Sequence, residues 1–400
     1  MAVLLIGAGV TGAWVVAAGF LSGGPGQPVV LGAAVEAAAS AMTAGSLEGD
    51  ATTLPEPDGP AVAAVMPTHK KTKLKGGPVA GGGNSGGTVS TGDSKANCIY
   101  LTFPNGVLDQ SMIDTVSSET GVTYNCLEAY ANPMATWAEW ESPWMFNDPG
   151  DGFDSWLAAS SAHQVVMSMD LIPQEAGSTS DPLSWEQSCA AGDYNQYATT
   201  LAKNLVSYGA GNIVIRLGTE ANGNWEADYV GTSSEEMSAW AACFDNEVSA
   251  MRAVSGAHFL FVWNPNVCTA DLPINEWYPG NSYVDIIGVD AYDADCGTDE
   301  TVGQEGWTAY YTDSSSNGGS PDFPSLANLE AFASANGKAL SFPEWGLGSG
   351  DDDPAYVTDM GKMFSSDDFS FETYFDAGDD GIATLGSDIP NATSAYGSAF

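Results

Sequence analysis

The feature that most constrains the fold is an alternation, from residue 96 onward, of short apolar runs with longer stretches of helical pattern. The runs are rich in β-branched and aromatic residues and are too short for buried helices, so they predict strands. Strands that alternate with helices form βαβ units and a parallel sheet. The candidate strands are Cys98–Phe103, Val122–Leu127, Gln164–Asp170, Asn212–Leu217, Phe259–Val262, Val284–Val289, Ala339–Phe342 and Phe371–Tyr374.

The stretches between these runs include predicted helices at residues 196–208, 234–254 and 325–335. Eight strands with intervening helices predict an α/β fold of the (β/α)8 or TIM-barrel type over residues 96–400. The rival doubly wound Rossmann arrangement is disfavoured because no G-x-G-x-x-G follows the first strand.

Two further segments precede the predicted barrel. Residues 1–22 are mostly apolar, and the first 21 carry no charge and are long enough to cross a bilayer, but they lack the basic start of a signal peptide. A membrane anchor and an atypical signal peptide both fit, and either predicts an extracellular or cell-surface protein. Residues 23–95 are rich in glycine, alanine and proline, which predicts a flexible linker.

The charge of the chain restricts its partners. It contains 51 acidic and 10 basic residues, for a formal net charge of −41. Such a surface repels phosphate backbones, which argues against nucleic acid as a partner. A neutral polysaccharide or oligosaccharide is compatible with it, and we expect the protein to be a monomer.

Six cysteines predict three disulfides in an oxidising compartment. Of the fifteen pairings that six cysteines allow, the predicted order of strands and helices favours joining neighbouring elements: Cys98–Cys126, Cys189–Cys243 and Cys268–Cys296.

The lack of a C-x-x-C pair and the presence of only three histidines argue against zinc. We predict no metal and no cofactor, since acidic loops such as Asp351–Asp353 lack the EF-hand pattern, but the sequence leaves a structural calcium open.

Two glutamates stand where a barrel places its active site, at the C-terminal ends of strands. Side-chain alternation along NIVIRLGTE puts Arg216 and Glu220 on one face of strand four, and strand seven ends in Glu344. A single glutamate at a strand end is usually a cap or a solvated loop residue. Two at the same end of one barrel form the carboxyl pair that cleaves glycosidic bonds, with retention at a separation of about 5 Å and inversion at wider spacing.

Other residues near these strand ends are candidates for sugar binding, since flat apolar sugar faces stack on aromatic rings. We predict ring contacts from Trp225, Trp263 and Trp345, and polar contacts at the barrel mouth from Arg216, Asn222 and Asn264. Trp137, Trp140 and Trp144 follow strand two and fit either a sugar-binding loop or a helix packed in the core.

These motifs resemble a known family. The segment IRLGTEANGNW resembles the acid/base motif of glycoside hydrolase family 26 and its relatives in clan A, and FPEWGLG resembles the clan's nucleophile motif on strand seven. FVWNPNV and YVDIIGVDAYD resemble strands five and six of the same family, in the same order. The resemblance covers most of residues 98–400. It implies that Glu220 is the acid/base, Glu344 the nucleophile and Tyr292 a hydrogen-bond partner of the nucleophile.

The resemblance implies a retaining, endo-acting hydrolase of β-linked polysaccharide: β-mannan, xylan or β-glucan. Thr219 departs from the pattern, because family 26 mannanases usually have histidine before the acid/base and other clan members asparagine. The sugar, the linkage and endo or exo action therefore stay open. The alternative is a non-catalytic carbohydrate-binding barrel on a surface stalk, and the presence of both glutamates favours the enzyme.

Overall fold

The computed structural model describes residues 95–131, 134–147, 152–267, 272–293, 307–308, 311–312, 322–366, 368–378 and 382–400. The predicted N-terminal segment, residues 1–22, and all of the predicted linker except Lys95 lie outside the described residues. Within those ranges, no helix combines the length and the apolar character needed to cross a membrane.

Eight parallel strands form a closed barrel in chain order, and β1 pairs with β8 to close it. Each lies at a position predicted from the sequence, with ends shifted by a few residues, so the predicted TIM-barrel fold is confirmed. The strands are β1 Ala96–Tyr100, β2 Cys126–Tyr130, β3 Gln164–Met169, β4 Val214–Thr219, β5 Leu260–Asn264, β6 Ile286–Tyr292, β7 Ala339–Gly346 and β8 Phe369–Phe375.

Helices follow the strands and pack outside the barrel. They are α1 Gln110–Thr120, α2 Trp137–Trp140, α3 Trp144–Asn147, α4 Phe153–Ala159, α5 Pro182–Ala190, α6 Asn195–Ser207, α7 Ser234–Arg252, α8 Ile274–Trp277, α9 Leu326–Asn336, α10 Pro354–Phe364 and α11 Pro390–Ala399. The three predicted helices correspond to α6, α7 and α9. Helix α7 begins where Ser233 and Glu236 form a reciprocal capping box, which satisfies amides that the first turn would leave unpaired.

Side-chain alternation sorts each strand into two faces. The outward faces pack against the helices in a large apolar core. The inward faces begin with a small apolar layer at the N-terminal end of the barrel: Ala96, Cys98, Cys126, Val166, Val214, Val262, Ile286 and Phe371. Two residues further along several of the same strands the inward side chains become polar, so the barrel changes from apolar to polar towards its C-terminal end.

Two of the three predicted disulfides are present. Cys98 and Cys126 are register partners on β1 and β2, and their bond belongs to the apolar layer inside the barrel. Cys189–Cys243 joins α5 to α7. The third predicted pair, Cys268–Cys296, lies outside the described residues.

Candidate active site

Glu344 on β7 is surrounded by donors of hydrogen bonds. Tyr130 Oη at 2.5 Å and Arg216 Nη1 at 2.9 Å both donate to its Oε2, and Tyr292 Oη donates to Oε1 at 2.7 Å. Burial and the charge of Glu344 raise the pKa of both tyrosines well above the usual value, so both phenols keep their protons. With its side chain only 16% exposed, Glu344 is held as an oriented carboxylate with both oxygens engaged.

Arg216 is the centre of the polar layer inside the barrel. It is completely buried, which is costly for a charge unless every donor is satisfied. Besides Glu344, its guanidinium donates to inward-facing side chains of the strands β2, β3, β5 and β6: Glu128, Ser168, Asn264 and Asp290. The arginine therefore fixes the position of the Glu344 carboxylate from inside the barrel.

Three carboxyl groups share this one cation, and burial limits how many of them ionise. Burial raises the pKa of Glu128 to about 7, against the lowering effect of Arg216. Burial also raises the pKa of Asp290 well above its usual value, again with Arg216 opposing. The Glu344 carboxyl group is the only one of the three that is partly exposed.

Glu220 lies just past the end of β4, on a backbone that departs from regular strand geometry. Its φ is +47°, a left-handed conformation that is uncommon for a residue with a side chain. Gly218 two residues earlier has φ +71°, and a Cβ there would lie 2.7 Å from the Trp240 ring of α7. The β4–β5 register shifts over the same residues, between Arg216 and Thr219. This irregular turn re-aims the Glu220 side chain relative to the strand.

The Glu220 carboxyl group accepts two hydrogen bonds from neutral donors. Asn266 Nδ2 donates to Oε1, and Trp225 Nε1 donates to Oε2 at 3.1 Å. Burial raises the pKa of Glu220, and the negative charge of Glu344 raises it further. Glu220 thus has the environment of an acid, whereas Glu344 has cationic and phenolic donors around a carboxylate. Two carboxyl groups whose environments differ in this way take different roles in acid–base chemistry.

A cavity of about 390 Å³ opens beside Glu344. Its wall is largely aromatic, and it includes Tyr100, Phe103, Tyr130, Trp144 and Phe375. The Tyr100 and Phe375 rings lie 4.6 Å apart between centroids. A concave aromatic wall next to a carboxylate fits a sugar ring, which presents an apolar face and polar edges.

Part of the chain matches a known protein family. A model of the family described as glycosyl hydrolase family 26 matches residues 184–304, which include Glu220 and Tyr292 but not Glu344. The barrel is glycosyl hydrolase family 26-like. Residues 184–304 are therefore similar to a family of glycoside hydrolases, while no curated protein matches the chain.

Solved structures share the fold at low sequence identity. The YdhT protein from Bacillus subtilis is 16% identical with a TM-score of 0.51, over 76% of this chain and 84% of that chain. The mannanase BCman from Bacillus subtilis is 14% identical, with the same TM-score and coverages. The GH26 β-mannanase BoMan26A from Bacteroides ovatus is 13% identical with a TM-score of 0.50, over 78% of this chain and 89% of that chain.

In this family 26-like barrel, the predicted contact of Tyr292 with Glu344 is present. Trp225 also lies where a sugar could reach it, because its side chain is 51% exposed and its indole nitrogen contacts Glu220. Trp144 lines the aromatic cavity and donates to the Tyr130 carbonyl. Trp140 is instead a core residue whose indole bonds to the Asp170 carbonyl, and Trp137 stacks on Tyr197 of α6.

The predicted sugar contacts of Trp263 and Trp345 are wrong. Both side chains are completely buried on the outward faces of their strands. Trp263 packs against Trp277 of α8, and Trp345 packs against Tyr396 and donates its indole N–H to Glu372. Both belong to the layer between the barrel and its helices.

The polar contacts predicted for Arg216, Asn222 and Asn264 are also wrong, because all three side chains are completely buried. Arg216 and Asn264 bond to each other inside the barrel. Asn222 exchanges hydrogen bonds with the backbone of Asn266, which ties the loop after β4 to the loop after β5. These residues position the site and do not line its open face.

Sequence reasoning missed Glu128, Tyr130, Ser168, Asp290 and Asn266. The first four are inward-facing residues of β2, β3 and β6, so the alternation that was applied to β4 would have placed them beside Arg216. Asn266 lies beyond the end of β5, and no strand pattern extends to it.

One acidic group in the described residues has the arrangement of a metal site. Carboxylate oxygens of Asp170, Glu226 and Asp228 all lie within 4.8 Å of one another. Burial raises the pKa of Asp170 to about 6 and, with the charges of Asp170 and Glu220, that of Glu226 to about 8. The other group of this kind includes Cys189 and Cys243, whose sulfurs are already used in a disulfide.

Proposed function

We propose that the protein is a retaining hydrolase of β-linked polysaccharide, with Glu344 as nucleophile and Glu220 as acid/base. The observation that carries the proposal is the opposite environment of these two carboxyl groups at the C-terminal ends of β7 and β4. One is an oriented carboxylate held by Arg216 and two tyrosines, and the other has a raised pKa.

Each group has a defined part in the double displacement. In the first step a Glu344 oxygen attacks the anomeric carbon while Glu220 gives its proton to the departing glycosidic oxygen. In the second step Glu220, now ionised, takes a proton from water, whose oxygen displaces Glu344 from the sugar. Glycosylation removes the negative charge of Glu344, which lowers the pKa of Glu220 and suits it to act as a base.

The residues around Glu344 support this role. Tyr292 holds Oε1, while Tyr130 and Arg216 hold Oε2, so the carboxylate plane cannot rotate freely. A fixed nucleophile lowers the entropic cost of reaching the transition state. Because these donors also stabilise a carboxylate, they favour its departure in the second step.

For the substrate, we propose a neutral β-glycan cleaved internally. The aromatic cavity beside Glu344 and the acidic surface favour an uncharged sugar chain. Two of the similar structures are mannanases by name, so β-mannan is the first candidate, although Thr219 leaves xylan and β-glucan to be tested. An extracellular or cell-surface monomer, with or without anchoring through residues 1–21, remains our proposal, supported by the two disulfides.

The test is product analysis on β-mannan, xylan, mixed-linkage glucan and β-1,3-glucan. We expect new reducing ends from at least one of them, with a β-anomer as the first-formed product by proton NMR. Glu344→Ala should keep the folded far-UV circular dichroism spectrum and lose turnover. An initial α-anomer would overturn the mechanism, and binding without turnover by the wild type would favour the alternative carbohydrate-binding barrel.

A further inference from the structure

We infer that Asp170, Glu226 and Asp228 form a binding site for one hard divalent cation of the calcium class. Asp170 follows the last residue of β3, and the other two lie in the segment after β4. The three carboxyl groups come from two separate loops at the C-terminal end of the barrel. This site is distinct from the catalytic pair, and the inference does not depend on the proposed reaction.

The spacing of the oxygens matches the first coordination shell of calcium. Oxygen ligands lie 2.3–2.6 Å from Ca²⁺, so two ligands of one ion are at most about 5 Å apart. One oxygen from each of the three residues satisfies this limit, since all lie within 4.8 Å of one another. All the donors are carboxylate oxygens, which suit calcium or magnesium rather than zinc or copper.

One buried oxygen of this cluster lacks a hydrogen-bond partner in the described residues. Asp228 is completely buried; its Oδ2 accepts from the Leu171 amide at 2.6 Å, while its Oδ1 has no hydrogen-bond partner. Asp170 is only 4% exposed, and the one hydrogen bond to it uses its backbone carbonyl. Buried carboxylate oxygens are normally paired, so the unpaired Oδ1 of Asp228, on a residue whose carboxyl group lies beside two others, points to a missing ligand.

Neighbouring side chains hold the two loops in place. Trp140 Nε1 donates to the Asp170 carbonyl at 3.0 Å, and Trp240 Nε1 donates to the Asp228 carbonyl at 2.8 Å. Gly177 allows the loop after β3 to approach the other, because a Cβ there would lie 2.3 Å from the Ala227 carbonyl oxygen. The carboxyl groups are therefore brought together by neutral contacts on both sides, against their mutual repulsion.

In the described residues no lysine, arginine or histidine forms an ion pair with any of the three. A divalent cation would balance the charge of ionised carboxylates in the cluster and would cross-link the segment that carries Glu220 to the end of β3.

The experiment uses the full-length protein, treated with a chelator and then titrated with terbium, an oxygen-seeking analogue of calcium. Because two tryptophans contact the cluster, excitation of tryptophan should sensitise the emission of a terbium ion bound there. The ionic strength is kept at about 0.15 M, where charges further apart than about 8 Å are largely screened. We expect one site of high affinity, from which calcium displaces terbium.

Variants make the result specific. Asp228→Asn and Asp170→Asn should each weaken terbium emission at that site at least tenfold, while Glu186→Gln, a matched change of a buried carboxyl group outside the cluster, should not. Calcium should raise the Tm of the wild type by roughly 5 °C at a hundredfold excess over its Kd, and should not raise that of Asp228→Asn.

Two results would overturn the inference. One is emission that is equal in the wild type and in both cluster variants, which would mean that terbium binds only to the acidic surface. The other is a wild-type Tm that calcium leaves unchanged while Asp228→Asn raises it, which would mean that the cluster is a set of protonated carboxyl groups. Failure of the proposed hydrolase activity would leave each of these readouts unaffected.

Discussion

Tyr292 tests how the nucleophile is held, because Tyr292→Phe removes one hydroxyl and no packing volume of the ring. The lost hydrogen bond is to a carboxylate, a type worth about 1.5–3 kcal/mol. We expect kcat on the best substrate to fall roughly 10- to 150-fold, with KM changed little. Tyr283→Phe, in the loop before β6, is the matched control and should behave as wild type. An unchanged kcat in Tyr292→Phe would contradict the positioning role.

A second residue-scale prediction concerns the pH dependence of the rate. The reaction needs protonated Glu220, so kcat/KM should decline as pH rises through the raised pKa of this group. Asn266 donates to the Glu220 carboxyl and thereby lowers its pKa, in opposition to burial. Asn266→Leu should therefore shift the basic limb of the pH profile to higher pH.

The control for this prediction is Asn246→Ala, whose side chain bonds to carbonyls of α5, away from the site. Its pH profile should match that of the wild type. A basic limb that moves to lower pH in Asn266→Leu, or does not move, would mean that the limb reports another group.

At the scale of elements, the disulfide between α5 and α7 should contribute strongly to stability. It closes a loop with a sequence separation of 54 residues, for which the chain-entropy model gives about 4 kcal/mol. Replacing Cys189 and Cys243 together by alanine should lower the free energy of unfolding by about 2–4 kcal/mol in urea denaturation. Turnover should persist, since neither helix contributes to the catalytic pair. An unchanged midpoint would show that helix packing alone accounts for the stability here.

Strand alternation shows how far the sequence could predict this site. This alternation correctly placed Arg216 inside the barrel. Applied to β5 and β7, it would also have placed Trp263 and Trp345 on the outward faces, because the adjacent Asn264 and Glu344 point inward. Proximity to a strand end was the wrong criterion for those tryptophans. The placement of Glu220 was not predictable in this way, because Gly218 and the Trp240 ring of α7 break the alternation. That contact depends on tertiary packing.

The Asp170 cluster was missed for a related reason. Asp170 is more than 50 residues from Glu226 and Asp228 in the chain, and it meets them only because neighbouring barrel strands end side by side. Acidic loops that are visible in the sequence, such as Asp351–Asp353, are instead runs of aspartate close together in the chain. The eight strands, by contrast, follow from local composition alone, which explains why the fold was predictable when much of the site was not.

For the whole molecule, the formal charge of −41 assumes that every carboxyl group is ionised. Several are not, because burial raises the pKa of Glu372 to about 8 and, together with the charge of Glu236, that of Glu186 to about 9. The Trp345 indole N–H and the Tyr396 hydroxyl both donate to the Glu372 carboxyl group and lower its pKa, but the effect of burial is larger. The folded protein therefore keeps protons that the unfolded chain releases.

The sign of the resulting pH dependence follows from linkage. An unfolded glutamate has a pKa of about 4.3, so between that value and about 8 the folded state binds the Glu372 proton and the unfolded state does not. The stabilising contribution is complete below the lower value and is lost as pH rises through the upper one, at up to about 1.4 kcal/mol per pH unit for each such group. We expect the free energy of unfolding to decrease from pH 5 to pH 8.

Glu372→Gln isolates this contribution, because glutamine mimics the protonated acid: its carbonyl can accept from Trp345 and its amide can donate to Tyr396. The free energy of unfolding is measured by urea denaturation in high salt, which suppresses surface repulsion, and with a chelator, which prevents cation binding. Under these conditions the variant should match the wild type near pH 5. Near pH 8 it should be the more stable of the two, whereas the exposed control Glu235→Gln should follow the wild type throughout. Parallel curves for Glu372→Gln and the wild type would mean that Glu372 is ionised in the folded protein, and the buried carboxyl groups would then destabilise it at neutral pH.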